Sequence, residues 1–115
     1  MADEPAVVVG KTYDFVLWLM PKVEKFSRSY RFSLGERLIA YGLDLLLLVV
    51  EAAYTSDKAG LLKQANGKVN GVRYLLRAAK DLRLLSLDSY EFAAGRLDEI
   101  GRMVGGWQKS LIKRG

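Results

Sequence analysis

The chain has 115 residues, enough for one domain with its own core, and half of them are hydrophobic. It contains no Cys and no His, which excludes disulfides, thiolate metal sites, thiol nucleophiles, imidazole bases and the Glu-x-x-His ligands of di-metal bundles. Eighteen basic and thirteen acidic side chains give a formal net charge of +5, so the expectation is an anionic partner rather than an enzyme, with no metal and no cofactor.

Residues 1–9 carry no helical pattern and are expected to form a flexible arm, leaving 10–115 as a four-helix domain. The first helix is expected over about 10–26, where Val16, Leu19, Met20, Val23 and Phe26 recur at threes and fours. Pro21 falls inside that pattern and removes a backbone donor, so a kink near Leu17 and Trp18 is expected. Ser27 to Phe32 forms a polar, basic connection. Within it Arg28, Tyr30 and Arg31 are candidate loop contacts, because an aromatic beside cations can stack on a base. Ser33-Leu-Gly-Glu36 has the spacing of a capping box and opens the second helix, about 33–54.

That second helix is apolar on most sides, through Leu38, Ile39, Leu43, Leu45, Leu46, Leu48, Val49 and Val50. Arg37, Asp44 and Glu51, spaced by sevens, form its one narrow polar stripe. Full burial of each large aliphatic gains about 1.5–3 kcal/mol, so the helix calls for neighbours beyond one small bundle. A subunit interface satisfies it, with Arg37, Asp44, Leu48 and Glu51 as candidate contacts. Inter-subunit ion pairing suits the two carboxylates better than catalysis, since no second carboxylate pair or metal ligand accompanies them. The apolar run Leu45 to Val50 is far below the roughly 20 residues of a membrane span. The acidic start Ala2-Asp3-Glu4-Pro5 does not resemble a signal peptide, so a cytoplasmic protein without membrane association is expected.

The third helix is expected over about 57–85, after a turn at Thr55-Ser56-Asp57, with Leu61, Ala65, Val69, Val72, Leu76, Ala79 and Leu82 inward. The fourth, about 87–107, starts at a Ser86 or Asp88 cap and buries Tyr90, Ala93, Ala94, Leu97, Ile100, Val104 and Trp107. Gly105-Gly106 is placed to end or loosen it. Gly67-x-x-x-Gly71 and Gly101-x-x-x-Gly105 suggest close helix approach, because glycine inside a helix costs roughly 1 kcal/mol relative to alanine. Four helices joined by short connections make an all-α chain, packed most simply as an antiparallel up-down four-helix bundle.

Charge is concentrated in one quarter of the chain. Residues 56–86 hold seven cations and two acids, a surplus equal to the net charge of the whole protein. Arg73, Arg77 and Lys80 lie at i, i+4 and i+7 on one flank of the third helix, with Asn66 and Asn70 in line and Lys63 close by. Lys68 and Arg83 are expected to extend the field, and Lys109 and Lys113 follow in a basic tail. Asp81 is the only acid between Lys58 and Arg83, so the sign alternation of an ordinary solvated helix face is missing. The flank is a candidate nucleic-acid-binding surface.

Seven blocks stand in order along the chain: Lys11-Thr-Tyr-Asp14, Trp18-Leu19, Pro21-Lys-Val-Glu-Lys-Phe26, Arg31-Phe-Ser-Leu-Gly-Glu-Arg37, Leu76-Arg-Ala-Ala-Lys-Asp-Leu-Arg-Leu-Leu-Ser86, Tyr90-Glu-Phe-Ala93 and Leu97-Asp-Glu-Ile-Gly-Arg-Met-Val-Gly-Gly-Trp107. Taken together they resemble the accessory variability determinant (Avd) proteins of diversity-generating retroelements. The broader group includes four-helix proteins encoded in intervening sequences of bacterial 23S ribosomal RNA genes. The resemblance implies a bundle assembled into a homopentameric, barrel-like ring with a basic surface. It also implies a non-enzymatic partner that binds the element's reverse transcriptase together with RNA or DNA, required for mutagenic copying and retrohoming. Two other readings are open: an rRNA-associated or general RNA-binding bundle without a polymerase partner, and a protein-only oligomeric scaffold.

Overall fold

A hydroxyl buried without a partner is costly, and Thr12 shows how the first helix meets that constraint. The side chain is completely buried, and its Oγ1 donates to the Val8 carbonyl one turn earlier at 2.8 Å. The computed structural model describes residues 4–114. Helix α1 spans Glu4–Glu24. Residues 4–9 of the expected arm are therefore helical, and residues 1–3 lie outside the described residues. Val7-Val8-Val9 are weak helix formers in isolation, but Val8 is buried in the core, and that burial outweighs propensity. Pro21 lies in the last turn rather than mid-helix. The amides of Lys25 and Phe26 then bond the Lys22 and Val23 carbonyls in a tightened turn, which brings Phe26 into the core beyond the helix end.

The connection expected at 27–32 is also helical. A single turn, Arg28–Tyr30, passes into a π-helical segment, Arg31–Gly35, that continues into α2, Glu36–Tyr54. The capping box at Ser33 and Glu36 does not form. Amides at these positions already have helical partners, and the Ser33 hydroxyl turns back to donate to the Tyr30 carbonyl at 3.4 Å. Gly35 is required there, because a Cβ would lie 2.8 Å from Cγ1 of Val23 on α1.

Helix α3 spans Ala59–Asp81, shorter at both ends than expected. Lys58, between α2 and α3, donates to the carbonyls of Ala52 and Thr55 at 2.6 Å each and so caps the end of α2 with a cation. After Asp81 the Arg83 amide bonds the Lys80 carbonyl and the Leu84 amide bonds the Ala79 carbonyl, a Schellman closure. Arg83 occupies the left-handed position of that closure, φ 63°, where glycine is usual. Leu82 is consequently outside the helix and exposed, not part of the buried stripe. Helix α4, Leu87–Arg114, begins with the Ser86 hydroxyl accepting from the Ser89 amide at 3.1 Å, and it continues through Gly105-Gly106 without a break.

Among the described residues the four long helices form an antiparallel up-down bundle with principal extents of 47 × 23 × 19 Å. Helices α1 and α3 each pack against α2 and α4 and so stand at opposite corners of the bundle. Registers are antiparallel throughout. Lys11 reaches Glu99 and Trp18 meets Phe92 across α1–α4, while Asn66, Arg73 and Lys80 face Gln108, Asp98 and Tyr90 across α3–α4. Leu19, Leu38, Leu45, Leu62, Leu76 and Leu97 are among the fully buried side chains.

Only half of the small-residue pattern serves close approach. A Cβ at Gly71 would overlap the Tyr41 ring, and one at Gly101 would lie 2.9 Å from Nη2 of Arg73. Gly67 and Gly105 face open space.

Candidate nucleic-acid interface

The α3 flank expected to carry positive charge faces α4, and its members divide by what they touch. Arg73 extends across α4 in the space left by Gly101 and places Nη2 3.1 Å from Oδ1 of Asp98. Arg77 and Lys80 both approach Asp81, at 4.0 and 3.5 Å. The Lys80 ammonium also sits 4.8 Å from the centre of the Tyr90 ring. Arg73 and Arg77 are exposed, and Asn70 beside them is exposed too. These groups border a groove of about 410 Å³ between α3 and α4, with Tyr74 and Tyr90 on its sides and Leu76, Ala94 and Leu97 beneath.

Other expected members are used elsewhere. Asn66 is half-buried and donates to the side-chain carbonyl of Gln108, which makes it a link between helices. Lys68 points away from the groove, bonding Asp44 on α2 at 3.1 Å and resting 4.1 Å from the Tyr41 ring centre, so it does not extend the field. Asp44 thus has a partner within its own chain. Lys63, Arg83 and Lys109 are exposed and form no ion pair among the described residues. The side chain of Lys113 lies outside the described residues.

The Arg28–Arg31 turn lies at the end of the bundle where α3 finishes, and so at the same end as Lys80 and Arg83. Arg28 and Tyr30 are exposed there. Arg31 is half-buried, donates to the Glu24 carbonyl at 3.5 Å and stacks 4.9 Å from the Phe32 ring centre, so it anchors the end of α1.

On α2, Arg37 and Glu51 are exposed and Leu48 is half-buried. The apolar surplus of this helix emerges at Leu47 and Tyr54, 63% and 89% exposed. With Tyr13 and Val9 of α1 they border an open groove of about 640 Å³. Sequence reasoning missed Tyr74 and Asp98 as members of the α3–α4 groove and placed Tyr90 in the core. Tyr74 was legible there, one residue after Arg73 and three before Arg77, as the sole aromatic residue of Ala59–Asp81. Asp98 was not, because only the α3–α4 register brings it to Arg73.

The fold defines the chain as an all-α, four-helix-bundle protein with a groove between α3 and α4. The chain belongs to the bAvd-like family, whose model matches residues 6–111. It is, at the level of that family, an Avd-type accessory protein. A solved protein of unknown function from the S23 ribosomal protein family of Bacteroides thetaiotaomicron has the same fold, with a TM-score of 0.85 over 92% of this chain and 98% of that chain. The two are 17% identical, so the likeness concerns the fold alone. No curated protein matches the chain. No helix among the described residues is long and apolar enough to cross a membrane.

Proposed function

We propose that this chain is the non-catalytic accessory protein of a diversity-generating retroelement, binding nucleic acid and the element's reverse transcriptase in the cytoplasm to support mutagenic copying and retrohoming. One observation carries the nucleic-acid part: Arg73 and Arg77 border the same groove as Tyr74 and Tyr90, and Lys80 rests against the Tyr90 ring. Cations on a rigid helix neutralise phosphates, and neighbouring aromatics meet bases. The reverse transcriptase as partner rests on membership of the family.

Self-association into a ring, with a pentamer as the implied number, is supported by the exposed Leu47, Tyr54 and Tyr13 on α1 and α2. In such a ring each protomer adds its own α3–α4 groove, so a modest local charge is repeated around the axis. Arg37 and Glu51, without ion pairs among the described residues, are available to partner subunits.

The test is a salt titration of nucleic-acid binding. If a ring engages six to ten phosphates, affinity falls by roughly 10³–10⁵ between 50 and 200 mM salt. A flat response removes this function. Co-expression with the reverse transcriptase encoded beside the gene, followed by pull-down and mass measurement of the complex, tests the partner. The ribosomal family name of the B. thetaiotaomicron structure favours a second reading, an rRNA-associated bundle without a polymerase. A ribosomal RNA gene surrounding the coding sequence is its signature.

A further inference from the structure

We propose that the α3–α4 groove takes an unpaired nucleobase between Tyr74 and Tyr90, and therefore that the protein selects single-stranded over double-stranded nucleic acid. This rests on the nucleic-acid reading above and narrows its substrate class.

The argument begins with Tyr74. Its side chain is 70% exposed, so it adds little to the core, yet it stands one residue from Arg73 and three from Arg77 at the groove edge. A solvated aromatic on the same groove as two guanidinium groups leaves a π-face open where polyanion would approach. Tyr90 lies on the opposite side of the groove, carrying the Lys80 ammonium 4.8 Å from its ring centre. The floor between them includes Leu76 and Leu97, both core residues, and Ala94. The groove thus combines an apolar floor, aromatic sides and a cationic rim.

A surface that binds only phosphates needs the rim alone. The floor and sides add affinity only for a flat, partly apolar group joined to an anion, which is the chemistry of a nucleotide. A duplex keeps its base faces stacked inside and offers this groove phosphates and sugar edges. A single strand can turn a base inward, where stacking on an aromatic is available to every base type. The volume of about 410 Å³ falls in the roughly 300–1,000 Å³ range of small-molecule sites, adequate for one nucleoside. The rim is also loosely oriented. Asp98 pairs with Arg73 at 3.1 Å, and Asp81 lies within 4.0 Å of both Arg77 and Lys80, exposed pairs that bias the cations toward the groove at little cost to exchange for phosphate.

The experiment compares a fluorescein-labelled single-stranded oligonucleotide, as DNA and as RNA, with the corresponding duplexes by anisotropy, using the whole chain in its native oligomer. The variants are Tyr74→Ala, Tyr74→Trp and Arg77→Ala. The wild type is expected to bind the single strands more tightly than either duplex. Tyr74→Ala is expected to weaken single-strand binding by roughly 5- to 100-fold while leaving duplex affinity and the salt slope unchanged, and Tyr74→Trp to keep wild-type affinity. Arg77→Ala is expected to weaken both ligands and lower the salt slope by about one. Equal wild-type affinity for both forms, or a Tyr74→Ala variant that binds single strands normally, overturns the inference. If Arg77→Ala still weakens both forms in that case, the proposed function survives without it. If Arg77→Ala changes nothing and salt has no effect, both fail together.

Discussion

Arg73 and Asp98, twenty-five positions apart in the chain, meet at 3.1 Å over the gap that Gly101 leaves on α4. One of the three cations expected to lead the basic flank is paired with a carboxylate. Asp98 thereby both positions the guanidinium and competes with phosphate for it. Removing that competitor should strengthen binding. Asp98→Asn is expected to raise nucleic-acid affinity several-fold at low salt, with a change in stability of no more than about 1 kcal/mol because the pair is exposed. Anisotropy beside a thermal melt checks both parts, and weaker binding would show that Asp98 positions more than it competes.

Gly71 and Gly67 lie one turn apart and should respond to alanine with opposite signs. A Cβ at position 71 overlaps the Tyr41 ring, whereas position 67 faces open space. Gly71→Ala should cost about 1–3 kcal/mol as Tyr41 is displaced, while Gly67→Ala should gain up to about 1 kcal/mol from helix propensity. Urea unfolding of the two variants reads the signs directly.

Arg83 holds a left-handed conformation that glycine adopts without strain. Arg83→Gly is expected to raise stability by up to about 1 kcal/mol. If Arg83 also meets phosphate, the same variant lowers the salt slope of binding by about one. A gain in melting temperature with an unchanged slope would limit Arg83 to the turn.

The ammonium of Lys58 satisfies two carbonyls at the end of α2 and lies 5.7 Å from the Trp107 ring centre. Lys58→Ala should cost about 1.5–3 kcal/mol through the lost charged hydrogen bonds. It should leave the salt slope of nucleic-acid binding unaltered, since this cation is engaged in the fold. A reduced slope would place Lys58 in the interface instead.

Leu47 is 63% exposed on the apolar side of α2, so a charge there should spare the bundle and disrupt contact between copies. Leu47→Asp is expected to retain helical circular dichroism while light scattering reports monomers. An unchanged oligomer would move the subunit contact to another face.

Helix number, the inward stripes of Val16, Leu19 and Val23 or of Ala93, Leu97, Ile100 and Val104, and the common flank of Arg73, Arg77 and Lys80 were all legible in the chain. Each follows from a 3.6-residue period, a property that a helix carries whatever it packs against. The start of α1 was not legible, because Val8 is helical through its burial rather than its propensity. The π-helical Arg31–Gly35 segment was hidden for a similar reason: the capping residues were present, but the approach of Gly35 to Val23 kept the backbone helical. Charge assignment depended most on the tertiary structure. Lys58, Lys68 and Arg73 all belong to the cation-rich stretch 56–86, and packing gave them three different sets of partners: two backbone carbonyls, Asp44 and Asp98. An ion pair across helices is set by register and rotation, which no local spacing encodes. The sequence fixes which face each cation occupies, and only the assembled bundle decides which of them remain available to a phosphate.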